Sequence, residues 1–353
     1  MTDLAPLHGG TDSLPEPRYD FSSNANALGP CPAVLAAIRR ADVSRYPDPS
    51  YTRLRERLAA WHAVTPDRVV VGAGASELTV RLVRHFDRTV VQLAPTFSEY
   101  ARAAGIARQR VICASSPEAF LRAQRQRHSL AFLCCPNNPT GEVWDAELIA
   151  MAARRGPLVV DLAYASLCSS ARAAEIEAAA AGAWRLYSPN KALGLTGVRG
   201  AYLIAPRTVR RLVDEAPSWV IGRDAVAMLE TALEPPARAW LAESIPRLWR
   251  WRVQLGEGLR RLRLTVRESP ATFLLVDVGN GTRVARKLRE SGIRVRDARS
   301  FGLGRWIRLS AQPAPARKAL LATLAQCLVM ESPRWQPDRP PRSLRSALPH
   351  RRR

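Results

Sequence analysis

The chain has 353 residues, 47% of them hydrophobic, enough to bury one large or two medium cores without a disulfide or metal staple. Its 53 Lys+Arg against 31 Asp+Glu give a formal net charge of +22, almost all of it arginine, because the lysines are Lys191, Lys287 and Lys318 alone. No stretch is apolar over the roughly 18 residues that mark a membrane span, and the opening MTDLAPLHGG lacks the basic and apolar regions of a secretory signal, so a soluble cytoplasmic protein is expected. Cys31, Cys113, Cys134, Cys135, Cys168 and Cys327 form no CxxC pair and no zinc-like spacing with histidines. They fit buried thiols, and no metal is expected.

Along the chain, short apolar runs at 68–71, 89–93, 110–113, 129–134, 158–161, 184–187 and 201–204 have strand length. Helix-compatible stretches at 77–86, 97–104, 116–127 and 146–155 separate several of them. That rhythm predicts an α/β fold with a mostly parallel, seven-stranded sheet. After Pro206 the texture shifts to a long helical region over 224–263, broken near Glu234-Pro235-Pro236. A strand at 273–277, a helix at 282–291, strands at 293–297 and 306–310 and a helix at 316–330 then make a smaller α+β unit. The expected organisation is an N-terminal arm, 1–45, joining the small domain, a large domain over 46–220, the small domain over 221–331, and a tail over 332–353. That tail holds seven Arg, five Pro and one Asp, which gives it +6 of the net charge and predicts disorder.

Four local signals carry chemistry. Ser188-Pro189-Asn190-Lys191, followed by the glycine-rich run to Gly200, lies between two expected core strands. An ammonium is costly to desolvate there, which points to a covalent or catalytic amine, with an exposed-loop lysine as the plain alternative. Gly72-Ala73-Gly74-Ala75-Ser76-Glu77 follows a strand and opens a helix, as a phosphate cradle or an ordinary helix start would. Asn137-Asn138-Pro139-Thr140-Gly141 is a structured turn after a strand, functional or not. Asp161-Leu162-Ala163-Tyr164 ends another buried strand, so its acid is either partnered or functional.

In this order the segments resemble the aminotransferase class I/II family, fold type I enzymes dependent on pyridoxal 5'-phosphate, from about residue 20 to residue 330. The resemblance implies a large domain with a mostly parallel seven-stranded sheet and a smaller α+β domain. It makes Lys191 the Schiff-base lysine and the base that moves a proton, and Asp161 the partner of the pyridine nitrogen. It gives Asn138 and Tyr164 the ring's phenolic oxygen and Phe97 the ring face. Ala75 N–H, Ser76, Ser188 and Arg199 would hold the cofactor phosphate, and Tyr46 would reach the phosphate of a neighbouring subunit, which implies a homodimer. Arg308, in Gly304-Arg305-Trp306-Ile307-Arg308-Leu309-Ser310, would bind a substrate carboxylate; without the resemblance it reads as an edge-strand arginine.

Two subfamilies come nearest. Histidinol-phosphate aminotransferases resemble the chain in Asn24-Ala25-Asn26, with Asn26 at the substrate, and in Tyr46-Pro47-Asp48. Threonine-phosphate decarboxylases share those segments and add His8-Gly9-Gly10, Phe97-Ser98-Glu99-Tyr100 and Val295-Arg296-Asp297 running into Phe301-Gly302-Leu303. There His8 and Gly9 would hold a substrate phosphate. The chain departs from the pattern at Ala27, at Asn190, and at Gln312, where the decarboxylases tend to carry a second arginine. The leading expectation is a threonine-phosphate decarboxylase-like enzyme releasing CO₂ and an aminopropanol phosphate for a cobalamin side chain. The alternative is a histidinol-phosphate aminotransferase-like enzyme that exchanges an amino group with a 2-oxoacid. Either acts on a small amino acid, phosphorylated or not, with no membrane and no nucleic-acid partner. A third reading, a non-catalytic nucleic-acid-binding protein on the same fold, is motivated by the charge, but no basic stripe interleaved with aromatics supports it.

Overall fold

The computed structural model describes residues 9–125 and 128–329; His8 and the segment 332–353 lie outside the described residues. The chain opens with β1 (Tyr19–Asp20), α1 (Pro32–Arg40) and α2 (Thr52–Trp61). An alternating region follows: β2 (Val69–Gly72), α3 (Ala75–Phe86), β3 (Thr89–Leu93), α4 (Glu99–Ile106), β4 (Val111–Ala114), α5 (Pro117–Gln124), β5 (Ser129–Cys134), α6 (Ala146–Arg155), β6 (Leu158–Asp161), α7 (Ser170–Ala179), β7 (Trp184–Tyr187) and β8 (Ala201–Ile204). Beyond it lie α8 (Arg210–Asp214), α9 (Arg223–Thr231), α10 (Pro235–Arg261), β9 (Thr265–Arg267), β10 (Phe273–Asp277), α11 (Gly281–Glu290), β11 (Ile293–Arg294), β12 (Arg296–Asp297), β13 (Trp306–Ser310) and α12 (Ala314–Val329).

Seven strands form one sheet in the order β2-β8-β7-β6-β5-β3-β4, parallel throughout except for β8, which runs against both neighbours. Every residue of β2, β5, β6 and β8 is buried, as expected where helices cover both faces. Alternate residues feed separate cores: Val69, Val71, Leu133 and Val160 pack on one face, Val70, Phe132, Val159 and Leu186 on the other. A four-stranded antiparallel sheet, β12-β13-β10-β9, shares a third core with α10, α11 and α12 through Leu259, Leu274, Val284, Ile307 and Leu320.

Two expectations need correction. The strand over 293–297 divides at Val295, because β11 pairs in parallel with β1 whereas β12 pairs antiparallel with β13. Cys113 is exposed; the other five cysteines are buried. The two prolines after Glu234 sit in the first turn of α10, where an absent N–H costs nothing. Among the described residues no helix is long and apolar enough to cross a membrane, and no cluster of three or more His, Cys, Asp or Glu could hold a metal.

The loop after β7 is pinned to the N-terminal segment. Asn26 N donates to Lys191 O at 2.8 Å and Cys31 N to Leu193 O at 2.9 Å. Gly194 makes this contact possible: its φ is +67°, and a Cβ there would stand 2.1 Å from Gly29 O. Gly194→Ala is therefore expected to destabilise the protein by about 2–4 kcal/mol, read as a lower urea midpoint at unchanged slope.

Candidate active site

Strands β2, β3, β5, β6 and β7 run in one direction, so their carboxyl ends open along one sheet edge, and β8 begins at that edge. The loops there line a cavity of about 460 Å³. Loops after β3 and β5 bring Phe97 and Asn138, β6 ends in Asp161, and the loop after β7 carries Ser188 and Lys191.

Asp161 is buried beneath the cavity. Its Oδ2 accepts from Tyr100 OH at 2.7 Å and its Oδ1 from Ala163 N at 3.0 Å. Burial raises its pKa above the ordinary carboxylate value, while Tyr100, Lys191 and the Ala163 N–H act in the opposite direction. Lys191 reaches solvent only partly, and its Nζ stands 5.5 Å from the centre of the Tyr164 ring. Desolvation lowers its pKa, and Arg199 and Arg308 add to this against the pull of Asp161. Burial pushes Tyr164 up to about 12, so its phenol is a neutral donor at physiological pH.

The other end of the cavity is an anion cradle. At the start of α3 the N–H groups of Ala75 and Ser76 have no partner within the helix, and the helix dipole adds partial positive charge. Gly74 has φ +96°, and a Cβ there would meet Arg199 Nη2 at 2.4 Å, so only glycine lets the guanidinium close over the helix end. Ser188 Oγ donates to Asn190 Oδ1 at 3.0 Å, and Asn190 Nδ2 donates to Val198 O at 3.3 Å. The asparagine that departs from the family pattern thus braces the loop on both sides of the lysine.

In the loop after β5, Asn137 is the internal brace, with its amide bonded to Pro95 O, Thr140 Oγ1 and Thr96 Oγ1. Asn138 is left to face the cavity, where its Oδ1 accepts from Arg308 Nη1. Arg308 is buried, donates from Nη2 to Ser22 O at 2.7 Å and stands 5.7 Å from the centre of the Phe273 ring.

Not every sequence-level assignment meets the cavity. Asn26 does not: its Nδ2 donates to Ala192 O and Ser244 Oγ, both at 3.0 Å, and its Oδ1 accepts from Leu28 N. This asparagine holds the lysine loop from behind, and a substrate contact for it is corrected. Asn24, two residues earlier, is buried and lines the cavity beside Tyr164. Tyr46 is 74% exposed, away from the cavity, and stacks on Trp219 at 4.4 Å. Gly9 lines the cavity mouth, while His8 lies outside the described residues.

The position at which the decarboxylases tend to carry a second arginine is Gln312, and a second buried arginine enters the cavity from another strand. Gln312 Nε2 donates to Asp20 O at 2.7 Å and does not reach the cavity. Arg296 does, as the cross-strand neighbour of Arg308, 5% exposed, with Nη2 donating to Ser300 Oγ at 2.8 Å and its guanidinium 5.0 Å from the centre of the Phe301 ring. Burial, with Arg308 adjacent, pulls its pKa down to about 10. Among the described cavity-lining residues Lys191, Arg199, Arg296 and Arg308 are cationic and Asp161 alone is acidic. The cavity is therefore built for more than one anion.

These residues fit pyridoxal 5'-phosphate. Its phosphate matches the α3 terminus with Arg199 and Ser188, its aldehyde a primary amine of lowered pKa, and its pyridine nitrogen a buried carboxylate. Its phenolic oxygen matches Tyr164 and the NH₂ of Asn138. Arg296, Arg308 and Asn24 line the same cavity.

Comparison with known proteins gives a consistent picture. The family described as aminotransferase class I and II matches residues 17–325. The chain is 32% identical to a histidinol-phosphate aminotransferase of Haloferax volcanii, over 84% of this chain and 86% of that one. It is 31% identical to one of Paramagnetospirillum magneticum, over 92% and 96%. Among solved structures, histidinol-phosphate aminotransferase from Sinorhizobium meliloti in complex with pyridoxal-5'-phosphate superposes with a TM-score of 0.79 at 26% identity, over 89% of this chain and 92% of that one. L-threonine-O-3-phosphate decarboxylase from Porphyromonas gingivalis shares the fold, with a TM-score of 0.76 at 23% identity over 88% and 99%.

Proposed function

Since the chain belongs to the aminotransferase class I and II family, whose enzymes depend on pyridoxal phosphate, we propose that it transfers an amino group between a phosphorylated amine of the histidinol phosphate type and a 2-oxoacid. The observation that carries this reading is the buried Arg296–Arg308 pair. Both line one cavity, where forked guanidinium donors suit a phosphate or a carboxylate. A phosphate would satisfy both in one half-reaction, and the carboxylates of the amino donor or acceptor in the other. The relatives named for histidinol phosphate support the same substrate class.

The cofactor, when bound, supplies an electron sink that acidifies the substrate C–H next to nitrogen. Asp161 would stabilise positive charge at the pyridine nitrogen, and Tyr164 with Asn138 would orient the ring through its phenolic oxygen. Phe97 would cover one ring face, while the α3 terminus, Ser188 and Arg199 would anchor the phosphate. Lys191 would be the amine that holds the cofactor, and its lowered pKa suits it to accept a proton from the substrate carbon. The same reading makes the chain a cytoplasmic homodimer in which Tyr46 reaches the neighbouring subunit's cofactor phosphate; the exposed, stacked Tyr46–Trp219 pair supports it.

A second reading, decarboxylation of threonine phosphate, draws support from the N-terminal arm. Gly10 N donates to Ser22 Oγ at 2.9 Å and Arg294 Nη1 donates to Gly10 O at 2.8 Å, which ties the arm to the cavity mouth. The purified protein is expected to form glutamate from histidinol phosphate and 2-oxoglutarate. CO₂ from L-threonine phosphate without glutamate formation would select the second reading instead.

A further inference from the structure

Tyr100, in the first turn of α4, is fully buried and lies three residues beyond Phe97. Its ring stacks on Phe132, with centroids 4.7 Å apart and planes at 16°, and meets Phe97 edge-on at 5.6 Å and 85°. That packing aims one hydroxyl at one atom, Asp161 Oδ2, at 2.7 Å. With Ala163 N on Oδ1, each carboxylate oxygen has a protein donor, and the plane of the acid is fixed.

We infer that Tyr100 is a positioning residue for the cofactor ring: its hydroxyl holds Asp161 as an oriented carboxylate while its ring edge sets Phe97 on the other side of the same site. The inference rests on the reading of Asp161 as the partner of the pyridine nitrogen. The charged and titratable groups around Asp161 are Lys191 from the loop after β7, Cys134 from β5, Tyr164 from the loop after β6 and Tyr100 from α4. Burial holds Cys134 and Tyr164 neutral, and burial with the adjacent Asp161 charge pushes the Tyr100 phenol well above its ordinary value. Tyr100 is thus a permanent neutral donor, opposing the burial that raises Asp161. Without it, the proton shared by Asp161 and the pyridine nitrogen would move toward the carboxylate. Phenylalanine at 100 keeps the ring packing, so the hydroxyl is what is tested.

The test is nitrogen NMR on holoenzyme loaded with cofactor labelled at the pyridine nitrogen. In Tyr100→Phe the protonated fraction of that nitrogen is expected to fall, with the protonation equilibrium shifted about tenfold. Placing 3,5-difluorotyrosine at position 100 makes a stronger donor and should move the proton the other way. Phe97→Leu should weaken cofactor binding without moving the nitrogen signal. A signal unmoved in Tyr100→Phe, or moved the same way by both Tyr100 replacements, would overturn the inference. If Asp161→Asn leaves the nitrogen unmoved, the reading of Asp161 fails first and the inference with it, an outcome distinct from failure at Tyr100 alone.

Discussion

Lys191→Arg is expected to lower turnover by about a thousandfold or more while leaving the fold intact. Arginine keeps the positive charge and much of the length of lysine. Its guanidinium stays protonated and offers no primary amine, so it can neither bond to an aldehyde nor take a proton from carbon. Borohydride reduction of the wild type should fix the cofactor's mass on the peptide containing residue 191, and the variant peptide should remain unmodified. The pH dependence follows from the direction of the Lys191 shift. Its pKa in the folded protein lies below the ordinary lysine value because of burial. The unfolded chain therefore binds more protons at this site between the lowered value and the ordinary one, so stability contributed by the site rises with pH through that interval. The cofactor-free wild type should gain stability relative to Lys191→Arg as pH rises there, measured by urea midpoints. Equal midpoints at every pH would mean that the lysine is not desolvated.

How much of this site could be read from the sequence depends on whether a residue is fixed by its own strand or by a neighbour. Asp161, Lys191 and Asn138 follow or end short buried strands, and every such strand points its carboxyl end at one edge. Position in the chain therefore placed them. Arg296 is different, since only the antiparallel register of β12 on β13 sets it opposite Arg308, and a register between two short strands leaves no trace in local sequence. Gln312, where the decarboxylases tend to carry a second arginine, lies past the strand end and bonds to the arm. Asn24 and Asn26 show the limit of residue type. They are the same amino acid two positions apart, and only the tertiary contacts with Ala192 and Ser244 make the second structural and leave the first facing the cavity. Tyr100 stood in a quoted motif without a role, because its partner is 61 residues away. The divided strand at 293–297 has the same origin: its first half is claimed by β1, far back in the chain.

Arg308→Lys and Arg296→Lys are each expected to reduce kcat/KM for histidinol phosphate by about 10- to 100-fold, with the double variant losing less than the product of the two. Arg308 reaches Asn138 Oδ1 and Ser22 O with separate nitrogens, and a single ammonium cannot span both while also meeting a substrate. Its replacement therefore frees Asn138 as well, and the loss should fall on kcat and KM together. Arg296 is clamped by Ser300 and Phe301, so its loss should raise KM for the phosphorylated substrate chiefly. If both guanidinium groups grip one phosphate, removing either leaves the other with a poorer anion geometry, and the two effects couple. Fully multiplicative losses would mean two separate anions. Histidinol lacking the phosphate gives the sharper contrast: its poor turnover should be nearly insensitive to Arg296→Lys, and an equal loss for both substrates would show that Arg296 supports the fold of the β12–β13 pair rather than the substrate. Stability should move the other way from activity. Burying this guanidinium is costly, chiefly through desolvation with Arg308 adding repulsion, and the pKa of Arg296, pulled down to about 10, records that cost. Arg296→Met should leave the unfolding midpoint of the cofactor-free protein unchanged or raised while abolishing discrimination for the phosphate, the pattern expected of a charge kept for binding.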